Sequence, residues 1–147
     1  MLLSRHTRRR EFISLVAGAA GTSALWPPAA RAQPADRMRR IGVLYNLADN
    51  DPEGRARNAA FLQGLAQLGW IEGRKVRIDI RWGAAEAERI RRYVAEIVAL
   101  APDVILATGS AVVAPLQQAT RSVPIVFAVV PDPVGTGFVA SLARPGG

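Results

Sequence analysis

The segment Pro-Asp-Val-Ile-Leu-Ala-Thr-Gly-Ser, residues 102–110, decides the fold. Its apolar run, residues 104–107, is bounded by Pro-Asp on one side and turn-forming residues on the other, which is typical of a fully buried strand. The segment then passes directly into residues 111–120, whose apolar spacing predicts a helix. A buried strand that leads into a helix is the repeating unit of parallel α/β sheets.

The same alternation of strand and helix extends along the chain on either side of this segment. Further strands are predicted at residues 41–45, 76–82 and 125–130, and further helices at residues 55–68 and 86–101. The second strand alone alternates apolar and charged residues, which indicates an edge position with one solvated face. We therefore expect an α/β fold, with a parallel four-stranded sheet in the order 2-1-3-4 and helices on both faces.

Each predicted helix has an apolar side that would face the sheet. Asp51-Pro52 is suited to cap and open the first helix, and Gly69 to end it. The expected buried positions are Phe61, Leu65 and Leu68 in the first helix, Ile90, Val94, Ile97, Val98 and Ala101 in the second, and Val112, Leu116 and Ala119 in the third.

Polar loops follow three of the four predicted strands. Ligands of such sheets bind beyond the carboxyl ends of the strands, at the switch between strands 1 and 3. Asn46 follows strand 1, and its side chain either binds a polar ligand or forms hydrogen bonds within its own turn. Thr108-Gly109-Ser110 follows strand 3, and Asp132 lies between two prolines after strand 4. We expect these five residues to contribute to a ligand site.

Two of these loops could each contact a charged group of a ligand. Gly109 lets a ligand approach the backbone, and the free N–H groups of the helix that follows favour an anion such as a carboxylate. The alternative is that Ser110 only caps its own helix. Asp132 offers a carboxylate to a ligand ammonium group, and its alternative is a turn residue without a ligand. Trp70 and Trp82 are expected to pack or form an interface rather than to stack on a ligand.

The composition excludes several classes of function. The chain has 19 basic and 12 acidic residues, a net charge of +7, but five of its arginines lie in the first 32 residues. The basic balance therefore does not support binding of nucleic acid. There is no Cys, and His6 is the only His, so His-dependent catalysis and His or Cys metal sites are excluded beyond the first residues. We expect no cofactor and no enzymatic activity.

The first 32 residues have the form of an export signal. Arg9, Arg10 and Phe12 match a twin-arginine motif, an apolar stretch follows at residues 13–26, and small residues precede a cleavage position after Ala32. Because no Cys follows the cleavage position, no lipid anchor is expected, and the mature protein is predicted to be free in the periplasm. The predicted organisation is a signal over residues 1–32, a polar lead-in over 33–39 and an α/β lobe over 40–147.

The motifs of the mature chain also carry a family resemblance. They are I-G-V-L-Y at residues 41–45, D-P-E-G-R-A-R at 51–57, F-x-x-G-L-x-x-L-G-W-x-E-G-R at 61–74, P-D-V-I-L-A at 102–107, V-P-I-V-F at 123–127 and D-P-V-G-T-G-F-V-A-S-L-A-R-P-G-G at 132–147. Together they resemble the substrate-binding proteins of ABC transporters of the tryptophan/tyrosine type. This resemblance implies a periplasmic-binding-protein type I fold, in which two lobes close on a small ligand.

The resemblance also implies a function and partners. We expect the periplasmic component of an importer that captures a small polar ligand, such as an amino acid or another carboxylate, and docks as a monomer on an inner-membrane permease. Because members of the group continue beyond R-P-G-G into a second lobe, the chain is expected to hold the first lobe only. The alternatives are an exported sensory domain that signals through a partner and, less favoured, an enzyme with a flavodoxin-like fold.

Overall fold

The computed structural model describes residues 37–144 of the 147-residue chain. The predicted signal, residues 1–32, lies outside the described residues, as do residues 33–36 and 145–147. Within the described part, no helix combines the length and the apolar character needed to cross a membrane. The boundaries proposed for the signal and the lead-in therefore stay predictions.

Strands and helices alternate along the described residues in the predicted order. The elements are β1 (Arg39–Tyr45), α1 (Pro52–Gln67), β2 (Val76–Trp82), α2 (Ala87–Ala99), β3 (Val104–Thr108), α3 (Ser110–Ala119) and β4 (Ile125–Ala128). Every neighbouring pair of strands is parallel, and the order across the sheet is β2-β1-β3-β4. The predicted α/β fold class and strand order are confirmed.

One face of the sheet is covered by α2 and α3 and holds the main core. Three residues of the predicted stripe of α2 are buried here, namely Ile90, Val94 and the fully inaccessible Ile97, and Val98 is partly buried. The packing is tight, because a Cβ added to Gly42 of β1 would lie 2.5 Å from Cγ2 of Ile97. The buried members of this core are Leu44, Ile90, Val94, Ile97, Ile105, Ala107, Val112, Val113 and Leu116.

On the opposite face, α1 contacts the carboxyl ends of β1 and β2, where the Tyr45 hydroxyl donates to Asn58 and a Cβ added to Gly54 would lie 2.9 Å from the Trp82 ring. Phe61 and Leu65, predicted to be buried in α1, are only partly buried. The carboxylate of Asp51 accepts a hydrogen bond from the N–H of Gly54 at 2.9 Å, and Pro52 occupies the first helical turn, as the sequence predicts. Near β4 this face is more open, since Val126 is 55% exposed. Leu68 is 77% exposed, so its predicted place on the buried side of α1 is wrong. The helix already ends at Gln67, which places Leu68 at the cap.

Some helices and strands end earlier than predicted, because the regular backbone conformation stops before the run of apolar residues does. Val129 has a φ of +57°, which ends β4 at Ala128 rather than at residue 130. Ala101 has a φ of +47° and is exposed after α2, so it does not belong to the buried stripe. Ala119, predicted to be buried in α3, is exposed as well.

The amino ends of the strands are joined by a network of charges. The carboxylate of Asp103 accepts from the backbone N–H of Arg40 at 2.8 Å and from Nη1 of Arg39 at 3.1 Å, and it pairs with Arg37. These contacts, led by the backbone N–H of Arg40, lower the pKa of Asp103 below its ordinary value. Nη1 of Arg40 also donates to the carbonyl of Leu100 at the end of α2, at 2.9 Å.

Candidate functional site

Asn46 lies at the carboxyl edge of the sheet, at the switch between β1 and β3. Its N–H donates to the carbonyl of Thr108 at 3.2 Å, and its carbonyl accepts from the N–H of Ala85 at 2.6 Å. The side-chain Oδ1 is buried and has no hydrogen-bond partner among the described residues. A buried acceptor without a donor costs about 1–3 kcal/mol. The position is therefore suited to a ligand that brings a donor.

The start of α3 lies directly beside Asn46. Gly109 has a φ of +87°, and a Cβ added to it would lie 3.1 Å from Cβ of Asn46, so both its conformation and its surroundings favour glycine. Gly109 is the N-cap of α3, and no side chain caps the helix. The alternative in which Ser110 caps α3 is wrong, because Ser110 is already the first helical residue.

The uncapped start of α3 gives the site an electrostatic preference. The first N–H groups of a helix have no partner within the helix, and they carry the positive end of the helix dipole. Backbone donors at such a position bind carboxylate or phosphate groups. The structure thus brings together Asn46, Thr108, Gly109 and Ser110 as one polar edge, with an unpaired acceptor beside a helix start whose free N–H groups suit an anion.

Asp132 makes its hydrogen bonds within its own loop. Its Oδ1 accepts from the N–H of Gly135 at 2.8 Å, and its carbonyl accepts from the N–H of Thr136 at 3.0 Å. Its φ is +43°, and the carboxylate fills the space that a side chain at Gly135 would need. Among the described residues, no hydrogen bond joins Asp132 to Asn46 or to α3. A role in binding a ligand ammonium group stays a prediction.

Tyr45 and Trp82 form a stacked aromatic pair at the carboxyl ends of β1 and β2. Their ring centroids are 4.3 Å apart with an interplanar angle of 15°. The Tyr45 hydroxyl donates to Oδ1 of Asn58 at 3.3 Å, and burial raises the pKa of the Tyr45 phenol, an effect that the charge of Arg57 partly opposes. Trp82 is thus placed in packing, as the sequence predicts, rather than in a free position for a ligand.

The loop after β2 contacts Asn46 and was missed by the sequence analysis. Ala84 and Ala85 have φ values of +51° and +56°. The N–H of Ala84 donates to the carbonyl of Leu47 at 3.1 Å, next to the bond from Ala85 to Asn46. Alanine gives no local signal for a left-handed conformation, so only the preceding Gly83 marked this turn in the sequence.

A groove of about 750 Å³ lies away from this edge, along β4 and the end of α3. None of the predicted site residues lines it. Its walls are formed by Gln117, Thr120, Arg121, Ser122, Val123, Pro124, Ile125, Phe127, Phe138 and Val139. Within residues 37–144, no group of three or more His, Cys, Asp or Glu residues is arranged to hold a metal ion.

The chain forms a 2-1-3-4 parallel sheet with an unpaired acceptor and an uncapped helix at its switch point, the place where ligands of such α/β sheets bind. The family model described as ABC transporter substrate binding protein matches residues 40–147. The chain belongs to this family. The family comprises binding components of transporters rather than enzymes, in agreement with the expectation from the sequence.

One curated relative has a stated ligand. The tyrosine-binding protein of Clostridioides difficile (strain R20291) is 29% identical over 111 residues, which make up 76% of this chain and 32% of the relative. The chain therefore spans about a third of the length of this relative.

Three solved structures are similar to the lobe. One is the L-Trp complex of an ABC domain from Streptococcus pneumoniae, with a TM-score of 0.68 and 24% identity over 74% of this chain and 36% of that one. A conserved domain protein from Vibrio cholerae gives 0.66 and 26%, over 72% and 35%. The ligand-free, open structure of a substrate binding protein with adhesive properties from Clostridium difficile gives 0.65 and 24%, over 71% and 35%. The likeness to these structures confirms the fold.

Proposed function

We propose that this chain forms the first ligand-binding lobe of a periplasmic binding protein that serves an ABC importer. The single observation that carries the proposal is the buried, unpartnered Oδ1 of Asn46 beside the uncapped start of α3. These two features favour different groups on a ligand. Oδ1 of Asn46 favours a hydrogen-bond donor, and the start of α3 favours an anion. An α-amino acid supplies both, with its ammonium and its carboxylate.

The proposed binding mode follows from this pairing. The ligand carboxylate accepts hydrogen bonds from the first backbone N–H groups of α3, where the helix dipole favours it. The ligand ammonium donates to Oδ1 of Asn46 and removes the penalty of the unpaired acceptor. The tyrosine-binding relative and the L-Trp complex support an aromatic amino acid as the ligand.

The experiment that tests this proposal is a titration of the ¹⁵N-labelled chain with L-tyrosine and L-tryptophan. We expect the largest amide shifts at Ser110, at Ala111 and in the side-chain amide of Asn46. Tyramine lacks the carboxylate and N-acetyltyrosine lacks the ammonium group, so each is expected to bind at least about tenfold more weakly, as for one lost charged hydrogen bond. Shifts scattered over the surface, or equal binding of all four compounds, would refute the proposal.

A matched pair of variants locates the ligand on this edge. Asn46→Ala is expected to weaken binding of L-tyrosine at least about tenfold, so that the shifts at α3 appear only at correspondingly higher ligand concentration. Asn50→Ala removes the same side chain from an exposed position in the same loop, and it is expected to bind like the unaltered chain. Equal binding by the two variants would remove Asn46 from the site.

The proposal includes export and closure. The arginine pair at residues 9 and 10 and the cleavage position after Ala32 support delivery to the periplasm, where a second lobe would close on the ligand and a permease would receive it. Replacement of Arg9 and Arg10 by Lys is expected to leave the chain in the cytoplasmic fraction with its signal uncleaved. Unchanged export would argue against the twin-arginine route.

A further inference from the structure

The loop after β2 holds an unusual backbone conformation directly beside Asn46. Ala84 and Ala85 are consecutive residues, both with positive φ, at +51° and +56°. For a residue with a Cβ this conformation is strained, because the Cβ approaches the following carbonyl oxygen. Such strain persists where the surroundings impose it, and it is concentrated at ligand-binding and catalytic sites.

The contacts that impose the strain all go to the residues around Asn46. The N–H groups of Gly83, Ala84 and Ala85 donate to the carbonyls of Tyr45, Leu47 and Asn46 at 2.7, 3.1 and 2.6 Å. In the last two bonds the later donor, Ala85, reaches the earlier acceptor, Asn46, so these bonds do not continue the parallel β1–β2 ladder. The left-handed turn lets two successive N–H groups reach the two peptide groups that flank Leu47.

Asn46 is thereby held on both sides. Its carbonyl is fixed by Ala85, its N–H is fixed by Thr108 of β3, and its side chain lies against the bare Cα of Gly109. Because the rotamers open to a side chain depend on its backbone dihedrals, fixing both peptide groups restricts where Oδ1 can point. None of these contacts gives Oδ1 a donor of its own.

We propose that the left-handed pair Ala84–Ala85 is a positioning element that pre-orients Asn46 for a ligand. The proposal rests on the proposed function for the identity of the ligand, but the orientation of Asn46 is measurable without one. The alanines touch no ligand themselves. They act through the backbone of Asn46. Their strained conformation is present in the unbound protein, where it helps to keep Oδ1 of Asn46 in one orientation before a ligand binds.

The test is the double variant Ala84→Gly/Ala85→Gly. Glycine adopts positive φ without strain, so the fold is expected to keep or raise its melting temperature, while the loop gains access to other conformations. We expect the side-chain amide group of Asn46 to lose order in ¹⁵N relaxation measurements. Affinity for L-tyrosine is expected to fall about two- to tenfold, because one side chain must then be ordered on binding.

The matched control is Ala101→Gly. Ala101 is also a left-handed alanine, with φ of +47°, but it follows α2 at the amino end of the sheet. It is expected to change the melting temperature in the same direction and to leave the order of the Asn46 amide and the affinity unchanged. If the double variant does not fold, Ala85→Gly alone carries the test.

The outcomes separate the two proposals. If Asn46 keeps its order in the double variant, the loop has no positioning role, whatever the ligand is. If the order is lost but the unaltered chain binds neither L-tyrosine nor L-tryptophan, the positioning role stands and the proposed ligand class is wrong. If order and affinity fall together in the double variant alone, both proposals are supported.

Discussion

The two ends of this sheet treat their polar groups in opposite ways. At the amino end, the carboxylate of Asp103 is contacted by three arginines, and its pKa is lowered. At the carboxyl end, Oδ1 of Asn46 is buried without a donor and α3 starts without a capping side chain. Satisfied groups stabilise a fold, whereas unsatisfied ones need another explanation. The difference agrees with the proposed function, in which the amino end stabilises the fold and the carboxyl end is the proposed binding site.

The largest effect is expected from Gly109→Val at the carboxyl end. The left-handed backbone and the contact with Asn46 are expected to lower the free energy of unfolding by about 3 kcal/mol in urea denaturation. Gly73→Val is the matched control, because Gly73 has a φ of +77° but no atom within 4 Å of an added Cβ. It is expected to lose about 1–2 kcal/mol from strain alone. Equal losses would mean that the approach to Asn46 is unimportant.

At the amino end, Asp103→Ala is expected to lower the free energy of unfolding by about 2 kcal/mol at neutral pH. Because folding lowers the pKa of Asp103, its contribution is present above the ordinary aspartate pKa and is lost as the pH falls through the lowered value. The difference in the free energy of unfolding between the unaltered chain and Asp103→Ala should therefore become smaller at acidic pH. A difference that does not depend on pH would show that the carboxylate charge contributes nothing.

Asn46→Leu is expected to change stability in the opposite direction. Removing an unpaired buried acceptor should raise the free energy of unfolding by up to about 1 kcal/mol, while L-tyrosine is expected to bind at least about tenfold more weakly. Asn58→Leu provides the contrast, since Oδ1 of Asn58 accepts from the buried Tyr45 hydroxyl, and it is expected to destabilise by about 1 kcal/mol. Thermal and urea denaturation show whether each variant has a higher or a lower free energy of unfolding than the unaltered chain. Destabilisation by Asn46→Leu would contradict the comparison.

The smallest effect is expected from Glu96→Gln, which lies at neither polar cluster. Glu96 pairs with Arg81 at 2.9 Å and is 41% exposed, so solvent weakens the interaction. We expect a loss of about 0.5 kcal/mol or less, which disappears at high salt. A loss comparable with that of Asp103→Ala would mean that charge pairing outside these two clusters also determines stability.

The fold could be predicted from the sequence because its determinants are local patterns. The charged alternation of β2 marks an edge strand, the stripe of α2 marks a buried face, and the strict alternation of strands and helices marks a parallel sheet. Predictions failed where a single residue near an element end departs from the pattern. Leu68 falls on the helical repeat of α1, yet it lies after the last helical residue and is exposed.

The arrangement of the candidate site could be predicted only in part. The carboxyl ends of strands select Asn46 and Gly109, because topology alone brings those loops together. The charge network at Asp103 joins residues more than 60 positions apart, so no local pattern indicates it. The left-handed conformation of Ala84 and Ala85 depends on hydrogen bonds to the loop after β1, so the sequence around the two alanines does not predict it.

The stacking of Tyr45 on Trp82 has a spectroscopic consequence. Two rings held 4.3 Å apart in one orientation, with Tyr45 fully buried, form an asymmetric chromophore pair. Such fixed pairs give near-ultraviolet circular dichroism that vanishes when side-chain packing loosens, even if the helices remain. Because Tyr45 directly precedes Asn46, this band reports on packing at the carboxyl end of the sheet without any label.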